Sequence, residues 1–506
     1  MDYTRFCKNF LIVVLSCSAL FASGCSVNPA TGRQQFTGLM SAEDEKKITE
    51  KQHKEMLAQN GGRYDHKDLA AYVNDIGQRL AQNSERKDVS YRFTIVDSSM
   101  VNAFAMPGGY IYVSRGLLAL VNDEDELAGV LGHEIGHVTA RHSAERHSEG
   151  MLIGFGADIV GAALGNASVA KLLNVGTGVY MKSYTREQES EADRLGLRYM
   201  SLAGYDPTAM PRFFKRMEQF DQTRAKDEGV DLPTFALLLD HPLTPDRIAA
   251  TSVEMRKYPK VPTKQEDADR YLSKIRGMTY GDSAVQGFVR NHTFYHPELG
   301  FAFSIPDEFH VSNWPSQIVV EGKHKDVFVM DMADKRAGQS PADFLVHEWL
   351  KGEIVFGPPE TMTINGLSAA TLEMVGKYVS GTTPVTVRLV AIEWGPRDVV
   401  RFLIVYPTRP EFQSVEDAKR LASNYHQKSV DGLKHMTYSF RRMSESEKRN
   451  VRPFAIQLVV AKAGDTVSSL ARQMRVDKMP DEWFRALNGI GPGEGIVSGR
   501  RYKIVQ

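Results

Sequence analysis

Between residues 67 and 83, apolar side chains recur at helical spacing (Leu69, Tyr72, Val73, Ile76, Leu80), which predicts an amphipathic helix. Tyr91 to Val96 alternates and predicts a strand. In the segment NAFAMPGGYIYVSRGLL that follows, Pro107-Gly108-Gly109 is turn chemistry between two short extended pieces, so a hairpin is expected. Upstream, SAEDEKKITEKQHKEMLAQN from Ser41 to about Asn60 is charged throughout. Ser41 and Asp44 are spaced as a capping pair and Gly61-Gly62 is the stop, which predicts an exposed helix. Downstream, a helix beginning at Asn122 or Asp123 carries apolar positions through Leu127, Val130, Leu131 and Ile135 to Val138. Further helices are predicted from Glu187 to about Leu202, ended by Gly204 and Pro207, and from Met210 to Phe220. Met151 to Met181 is rich in Gly and Ala, but Asp158 and Lys171 interrupt it, so a buried helical pair, or a lid over a site, is expected rather than a membrane span.

The pattern changes at about residue 286. FAFSIP, SQIVVEG, DVFVMDM, SAATLEMVG, VTVRLVAIEW and VVRFLIVYP read as strands, Asn365-Gly366 as a hairpin turn, and two helical runs fall at about 341–351 and 415–433. This is an α+β unit without a catalytic constellation. His292 and His296 have i,i+4 spacing, but Pro297 disfavours a helix there, so both are expected as surface histidines. The expected division is a signal at 1–24, a short linker at 25–40, a first domain at 41–260, a polar linker at 261–285, the α+β domain at 286–445 and a last module at 446–506.

Hydrophobic residues at 42% and charged residues at 25% exclude a disordered, collagen-like or polytopic membrane chain. Lys+Arg 62 against Asp+Glu 62 leaves no net charge to draw the chain onto nucleic acid, and no nucleic-acid partner is expected. The cysteines Cys7, Cys17 and Cys25 all lie in the first 25 residues, so a metal site in the body of the chain must use His and carboxylates. Arg5 and Lys8, the apolar run Phe10 to Phe21, and the small residues Ala22-Ser23-Gly24 follow the order of an export signal. The run is shorter than the roughly 20 residues that cross a bilayer. Ala-Ser-Gly-Cys resembles the bacterial lipobox, which implies lipidation of Cys25, and the non-acidic Ser26 resembles the outer-membrane sorting choice. The expected location is the periplasm, lipid-anchored at the outer membrane, with ordinary signal cleavage as the alternative.

His133-Glu134-Ile135-Gly136-His137 lies on the helix predicted from Asn122 or Asp123. Positions i and i+4 share a helix face, so His133 and His137 can hold one zinc ion with Glu134 beside it. Alone, the motif also fits a helix with one exposed and one buried imidazole. A zinc hydrolase site needs a third protein ligand and an open position. Glu189 and Asp193, i,i+4 on the helix that follows 52 residues later, supply candidates: Glu189 for the metal and Asp193 to orient an imidazole, with Glu191 rotated to the other side. By itself this ExEAD pattern is a common solvated helix face.

LGHEIGHVTARH, REQESEADRLGLRYM and DHPLTPDRI, with NAFAMPGGYIYVSRGLL upstream, together resemble metallopeptidase family forty-eight over about residues 26–260, and NPATGRQQF after Cys25 resembles its lipoprotein members. The resemblance implies a mainly α, gluzincin-like zinc metallopeptidase domain with one zinc ion per chain. His133, His137 and Glu189 would be its ligands, Glu134 the general base and Asp193 the partner of a ligand. An edge strand including Asn102, Ala103, Phe104 and Ala105 would bind a peptide substrate. His241 and Arg247 would lie near the cleft, where a cation stabilises a tetrahedral oxyanion. Unlike membrane-embedded members, this chain lacks multiple spans. The implied activity is cleavage of periplasmic or outer-membrane proteins in envelope quality control. The last residues, from VVAKAGDTVSSLA through FRALNG to SGRRYKIV, resemble a LysM module, which implies a strand, helix, helix, strand order and affinity for peptidoglycan. A rival of another class is an envelope chaperone or scaffold with a latent protease site, tethered to peptidoglycan.

Overall fold

The computed structural model describes residues 25–37, 40–148, 184–228, 236–261, 265–322, 326–351, 357–377, 384–407, 423–476 and 478–506. The export signal, the Met151 to Met181 segment and the start of the helical run at 415–433 lie outside the described residues. Two units are present: one comprises Met1–Leu57, Gly62–Tyr280 and Phe454–Gln506, the other Ala58–Gly61 and Gly281–Pro453.

The first unit opens with strands β1 (Cys25–Val27) and β2 (Gln34–Phe36), paired antiparallel. Helix α1 (Ala42–Gln59) starts at the expected cap: Asp44 N donates to Ser41 Oγ at 3.1 Å and Ser41 N donates to Asp44 Oδ2 at 3.0 Å. Helix α2 (Lys67–Ala81) buries Leu69, Val73, Ile76 and Leu80, the stripe read from the sequence. A three-stranded sheet of order β3 (Arg92–Val96), β5 (Tyr110–Ser114), β4 (Ala103–Met106) follows, β3 and β5 parallel and β4 and β5 the expected hairpin, which leaves β4 at an edge. After the short helix α3 (Arg115–Leu120), helix α4 (Glu124–Thr139) runs through the core with every residue buried, capped by Asp123 Oδ1 accepting from Glu126 N at 2.9 Å. Helix α5 (Arg186–Leu202) packs against it at close range. A Cβ on Gly136 would lie 2.9 Å from Ala192 O, and one on Gly196 would lie 2.8 Å from His133 N. Glycine at these positions lets the two backbones approach, and that approach sets Glu189 and Asp193 against His133 and His137.

Helices α6 (Ala209–Glu228), α7 (Ala236–Asp240) and α8 (Pro245–Glu254) complete the surround. The structure differs from the expected linker at 261–285. Residues Gln265–Ile275 form a helix, α9, that buries Tyr271, Leu272 and Ile275, with Tyr271 OH donating to Leu118 O at 2.6 Å. Its polar composition belongs to the outer face of an amphipathic helix. Strand β6 (Thr279–Tyr280) then pairs with β7 (Phe454–Val460), which pairs with β8 (Arg501–Val505). Between β7 and β8 lie two helices, Val467–Ala471 and Pro480–Asn488, so the end of the chain has the strand, helix, helix, strand order and shares one core with the preceding helices. Trp483 packs edge-on against Phe220 and donates Nε1–H to Asp227 at 3.1 Å. The fully buried Lys503 donates from Nζ to the carbonyls of Ala119, Leu120 and Val121, the last at 2.8 Å.

The second unit is sheet-rich. Its larger sheet is antiparallel with seven strands, and a four-stranded sheet and the helix Ser423–Ser439 accompany it around a core of Phe294, Phe301, Phe303, Phe328, Phe402 and Phe440. Asn365 (φ 47°) and Gly366 (φ 82°) form the expected hairpin turn. One surface assignment is corrected. His292 is exposed, but His296 is buried on a strand beside Phe301, with Nδ1 accepting from Leu299 N at 3.2 Å, and burial pushes its pKa down to about 4. Alternation along a strand, not helix geometry, decides its exposure.

Candidate active site

Helix α4 presents His133, Glu134 and His137, and α5 presents Glu189 and Asp193 one turn apart. His241 follows α7, and Arg247 lies in the first turn of α8, capped by Thr244. All are buried. One donor atom from each of His133, His137, Glu189 and His241 falls within a cluster no wider than 4.8 Å.

The hydrogen bonds behind the imidazoles decide which nitrogens carry protons. His133 Nδ1 lies 2.8 Å from Asp193 Oδ1. Arg247 donates to both oxygens of Asp193, at 2.6 and 2.8 Å. Burial would raise the Asp193 pKa, but the Arg247 guanidinium holds it below the usual carboxylate range. An ionised carboxylate only accepts, so His133 Nδ1 donates to Asp193, and the neutral form of that ring has its lone pair at Nε2. His137 Nδ1 lies 2.9 Å from His142 Nδ1, and His142 Nε2 lies 3.2 Å from Glu191 Oε2. Burial opposes ionisation of Glu191 too, yet the hydrogen bonds from His142 and Thr31 bring its pKa down to about 2. Burial also pushes His137 and His142 below the usual histidine value, so both are neutral at pH 7. The proton order is therefore His142 Nε2–H to Glu191 and His137 Nδ1–H to His142, which leaves His137 Nε2 bare.

The two Nε2 atoms lie 3.0 Å apart, with Glu189 Oε1 3.3 Å from His137 Nε2. Burial raises the Glu189 pKa, but His241, Arg247 and His133 pull it well below the usual range, so the cluster contains a carboxylate anion. Two imidazoles with one carboxylate are a zinc ligand set. His241 Nδ1 lies 2.8 Å from Glu189 Oε1 and 3.3 Å from His133 Nε2, a fourth donor in the same cluster. Beside them, the buried carboxylate oxygens of Glu134 make no hydrogen bond among the described residues. Burial raises the Glu134 pKa, against the pull of His241 and His133. A small cavity of about 30 Å³ opens next to Glu134, walled by Val130, Met210, Phe213, Phe214, Leu237 and His241.

Six sequence-selected residues therefore meet: His133, Glu134, His137, Glu189, Asp193 and His241. Arg247 joins them in a different role from the one expected. Its guanidinium is spent on Asp193 and on Glu189 Oε2, 2.5 Å away, so its charge steadies two carboxylates instead of facing an oxyanion. Asn102 precedes β4 and is fixed to Ser114, whose N donates to Asn102 O at 3.0 Å. Ala103, Phe104 and Ala105 lie in β4, at the sheet edge, with Phe104 stacked on Tyr112. Leu237 N donates to Val101 O at 3.3 Å, so the segment that carries His241 runs beside this edge. Cys25 begins β1. The sequence reading missed His142, Glu191 in its bridging role, and Tyr184, whose ring stacks on His137 at 3.8 Å. A histidine five residues past His137 is not on the same helix face. It returns because Arg141 turns the chain in the left-handed region (φ 57°).

A helix bearing HExxH, set against a helix that supplies a carboxylate to the same cluster, defines a metallopeptidase domain. Residues 67–254 match the model of Peptidase family M48. The chain is similar to the beta-barrel assembly-enhancing protease of Escherichia coli strain K12, 33% identical over 42% of this chain and 43% of that protein. The protein of the same name from Yersinia pestis is 31% identical over 41% of this chain and 43% of its own length. The mitochondrial metalloendopeptidase OMA1 of Schizosaccharomyces pombe is 29% identical over 48% of this chain and 69% of that protein. The chain thus spans less than half the length of the bacterial relatives. Among the described residues, no helix is long and apolar enough to cross a membrane.

Proposed function

We propose that the chain is a zinc-dependent endopeptidase, exported and lipid-anchored at Cys25, that cleaves proteins of the bacterial envelope. The observation that carries this reading is the convergence of His133, His137 and Glu189 donor atoms within 4.8 Å, the two Nε2 atoms 3.0 Å apart, beside a buried Glu134 carboxylate with no hydrogen-bond partner among the described residues. His133, His137 and Glu189 hold one zinc ion. Bound there, zinc supplies Lewis-acid polarisation of a scissile carbonyl and lowers the pKa of a water ligand toward ~7. Glu134 takes the proton of the attacking water and passes it to the leaving amine, a role its raised pKa favours because the protonated acid must be stable long enough to deliver. Asp193 and His142 keep the ligand imidazoles in the tautomer that offers Nε2. The edge at Ala103–Met106 binds an extended peptide by added-strand hydrogen bonds. His241 brings a fourth donor residue to the same cluster, where it lies against Glu189. The name of the bacterial relatives, beta-barrel assembly-enhancing protease, supports proteins of beta-barrel assembly as the substrate class. The exposed turns at 462–466 and 491–500, at one end of the last module, are where a peptidoglycan strand would bind.

Metal content and casein cleavage of the full chain test the reading together. One zinc per chain, loss of cleavage with a chelator, and loss of the metal in His133→Ala and His137→Ala are the expected results. Full metal occupancy in either variant overturns the ligand assignment.

A further inference from the structure

The Asn28-Pro29-Ala30-Thr31-Gly32-Arg33 turn joins β1 to β2, and its own backbone consumes much of its bonding capacity. Asn28 Oδ1 accepts from Ala30 N at 3.0 Å and from Thr31 N at 3.3 Å. Gly32 N donates to Asn28 O at 2.9 Å and Asn28 N to Arg33 O at 2.8 Å. Gly32 has φ +73°, a conformation side chains rarely adopt. Arg33 donates to Glu145 at 3.0 and 3.1 Å, and two other side-chain donors converge on one atom: Asn28 Nδ2 donates to Glu191 Oε1 at 2.9 Å and Thr31 Oγ1 donates to it at 2.6 Å. Asn28 is 1% exposed, so its amide is a buried donor held in one orientation. Arg33 adds a charge 3.5 Å from Glu191 Oε2.

From Glu191 the contacts run inward through His142 to His137 Nδ1. His133 has the equivalent support from Asp193 and Arg247. The two candidate ligands therefore rest on two separate carboxylates, one steadied by an arginine of the same domain core and the other by a turn three residues beyond Cys25. Supporting partners of this kind set the tautomer, the ring orientation and the basicity of a ligand histidine.

We propose that the Asn28–Arg33 turn is a positioning element of the metal site: by holding Glu191, it fixes His142 and through it His137. The proposal rests on His137 being a metal ligand. It assigns a task to the NPATGR motif that is separate from membrane attachment, and it makes metal affinity depend on a segment more than 100 residues away in sequence from His137.

The test uses the full chain with Asn28→Ala combined with Thr31→Val, with Thr31→Val alone on the exposed side of the turn, and with Thr31→Ser as the conservative replacement. Zinc affinity is read by chelator competition, the site by the visible absorption of the cobalt-loaded form, and folding by the melting temperature of the metal-free form. The double variant should bind zinc about 10-fold more weakly, with an altered cobalt spectrum and little change in metal-free melting. Thr31→Val should move the same way by less, and Thr31→Ser should restore the wild-type values. For peptide cleavage, kcat should fall while KM holds, because the strand edge is untouched. Wild-type zinc affinity and cobalt spectrum in the double variant overturn the proposal. If the double variant does not fold, the same two readings for Thr31→Val against Thr31→Ser decide it. A wild-type chain that binds no zinc overturns the metal reading and this proposal with it, whereas a wild-type chain that binds zinc beside indifferent variants overturns this proposal alone.

Discussion

His241 is the residue whose position says most about how the site works. Its Nδ1 lies 2.8 Å from Glu189 Oε1, inside the donor cluster, where a hydrolytic site would leave room for water. Three donors suffice to hold zinc, so His241→Ala should retain one zinc per chain and raise the rate of peptide cleavage. Metal analysis and a casein assay check this, and loss of both zinc and activity would place His241 among the obligatory ligands. At this scale the sequence was legible where the rule is local. His133, Glu134 and His137 share one helix, and Glu189 and Asp193 are one turn apart on another, so spacing alone set their faces. Glu191 and His142 were not legible, because their bridge depends on the left-handed turn at Arg141 and on a strand pair some 160 residues away in sequence. Arg247 was legible as a cation near the site but not in its partners, since nothing in the chain says that Asp193 and Glu189 both turn toward it.

Helix α4 owes its placement to its flanks as much as to its own apolar stripe. Asp123 caps it, Glu126 accepts from Arg212 Nε at 2.9 Å and pairs with the buried Arg216, and the carbonyls that end α3 just before it are tied by Lys503 from β8. Burial pushes the Lys503 pKa well down, and the three carbonyl acceptors offset that cost. Lys503→Met fills similar volume but leaves the carbonyls of Ala119, Leu120 and Val121 without this donor. It should lower stability by about 1–3 kcal/mol, measured by urea denaturation, with zinc release following the same transition. A midpoint equal to that of the wild type would show that the last module does not support α4. The helices and hairpins of this part were readable from periodicity and caps. The helix at Gln265–Ile275 was not, because its charged outer face dominates the composition and its few buried residues are spaced among polar ones.

The chain as a whole is arranged as an insertion. Tyr280 and Phe454 are paired residues of antiparallel strands, so the stretch from Gly281 to Pro453 leaves and re-enters the first unit at neighbouring points. Replacing 281–453 by a short glycine-rich turn should therefore leave a folded chain that binds one zinc, checked by metal analysis and by a cooperative melt. Aggregation or loss of zinc would mean that the second unit is required for the first to fold. Sequence patterns distinguished the two kinds of structure on either side of residue 280, yet not the return of the last 53 residues into the first core, because strand partners so far apart leave no local trace. The central claim, that this molecule hydrolyses peptide bonds with Glu134 as the base, is tested most directly by Glu134→Gln in the full chain. The account predicts one zinc per chain, an unchanged melt and at least ~10²-fold slower peptide cleavage; cleavage at the wild-type rate by the zinc-loaded variant would contradict it.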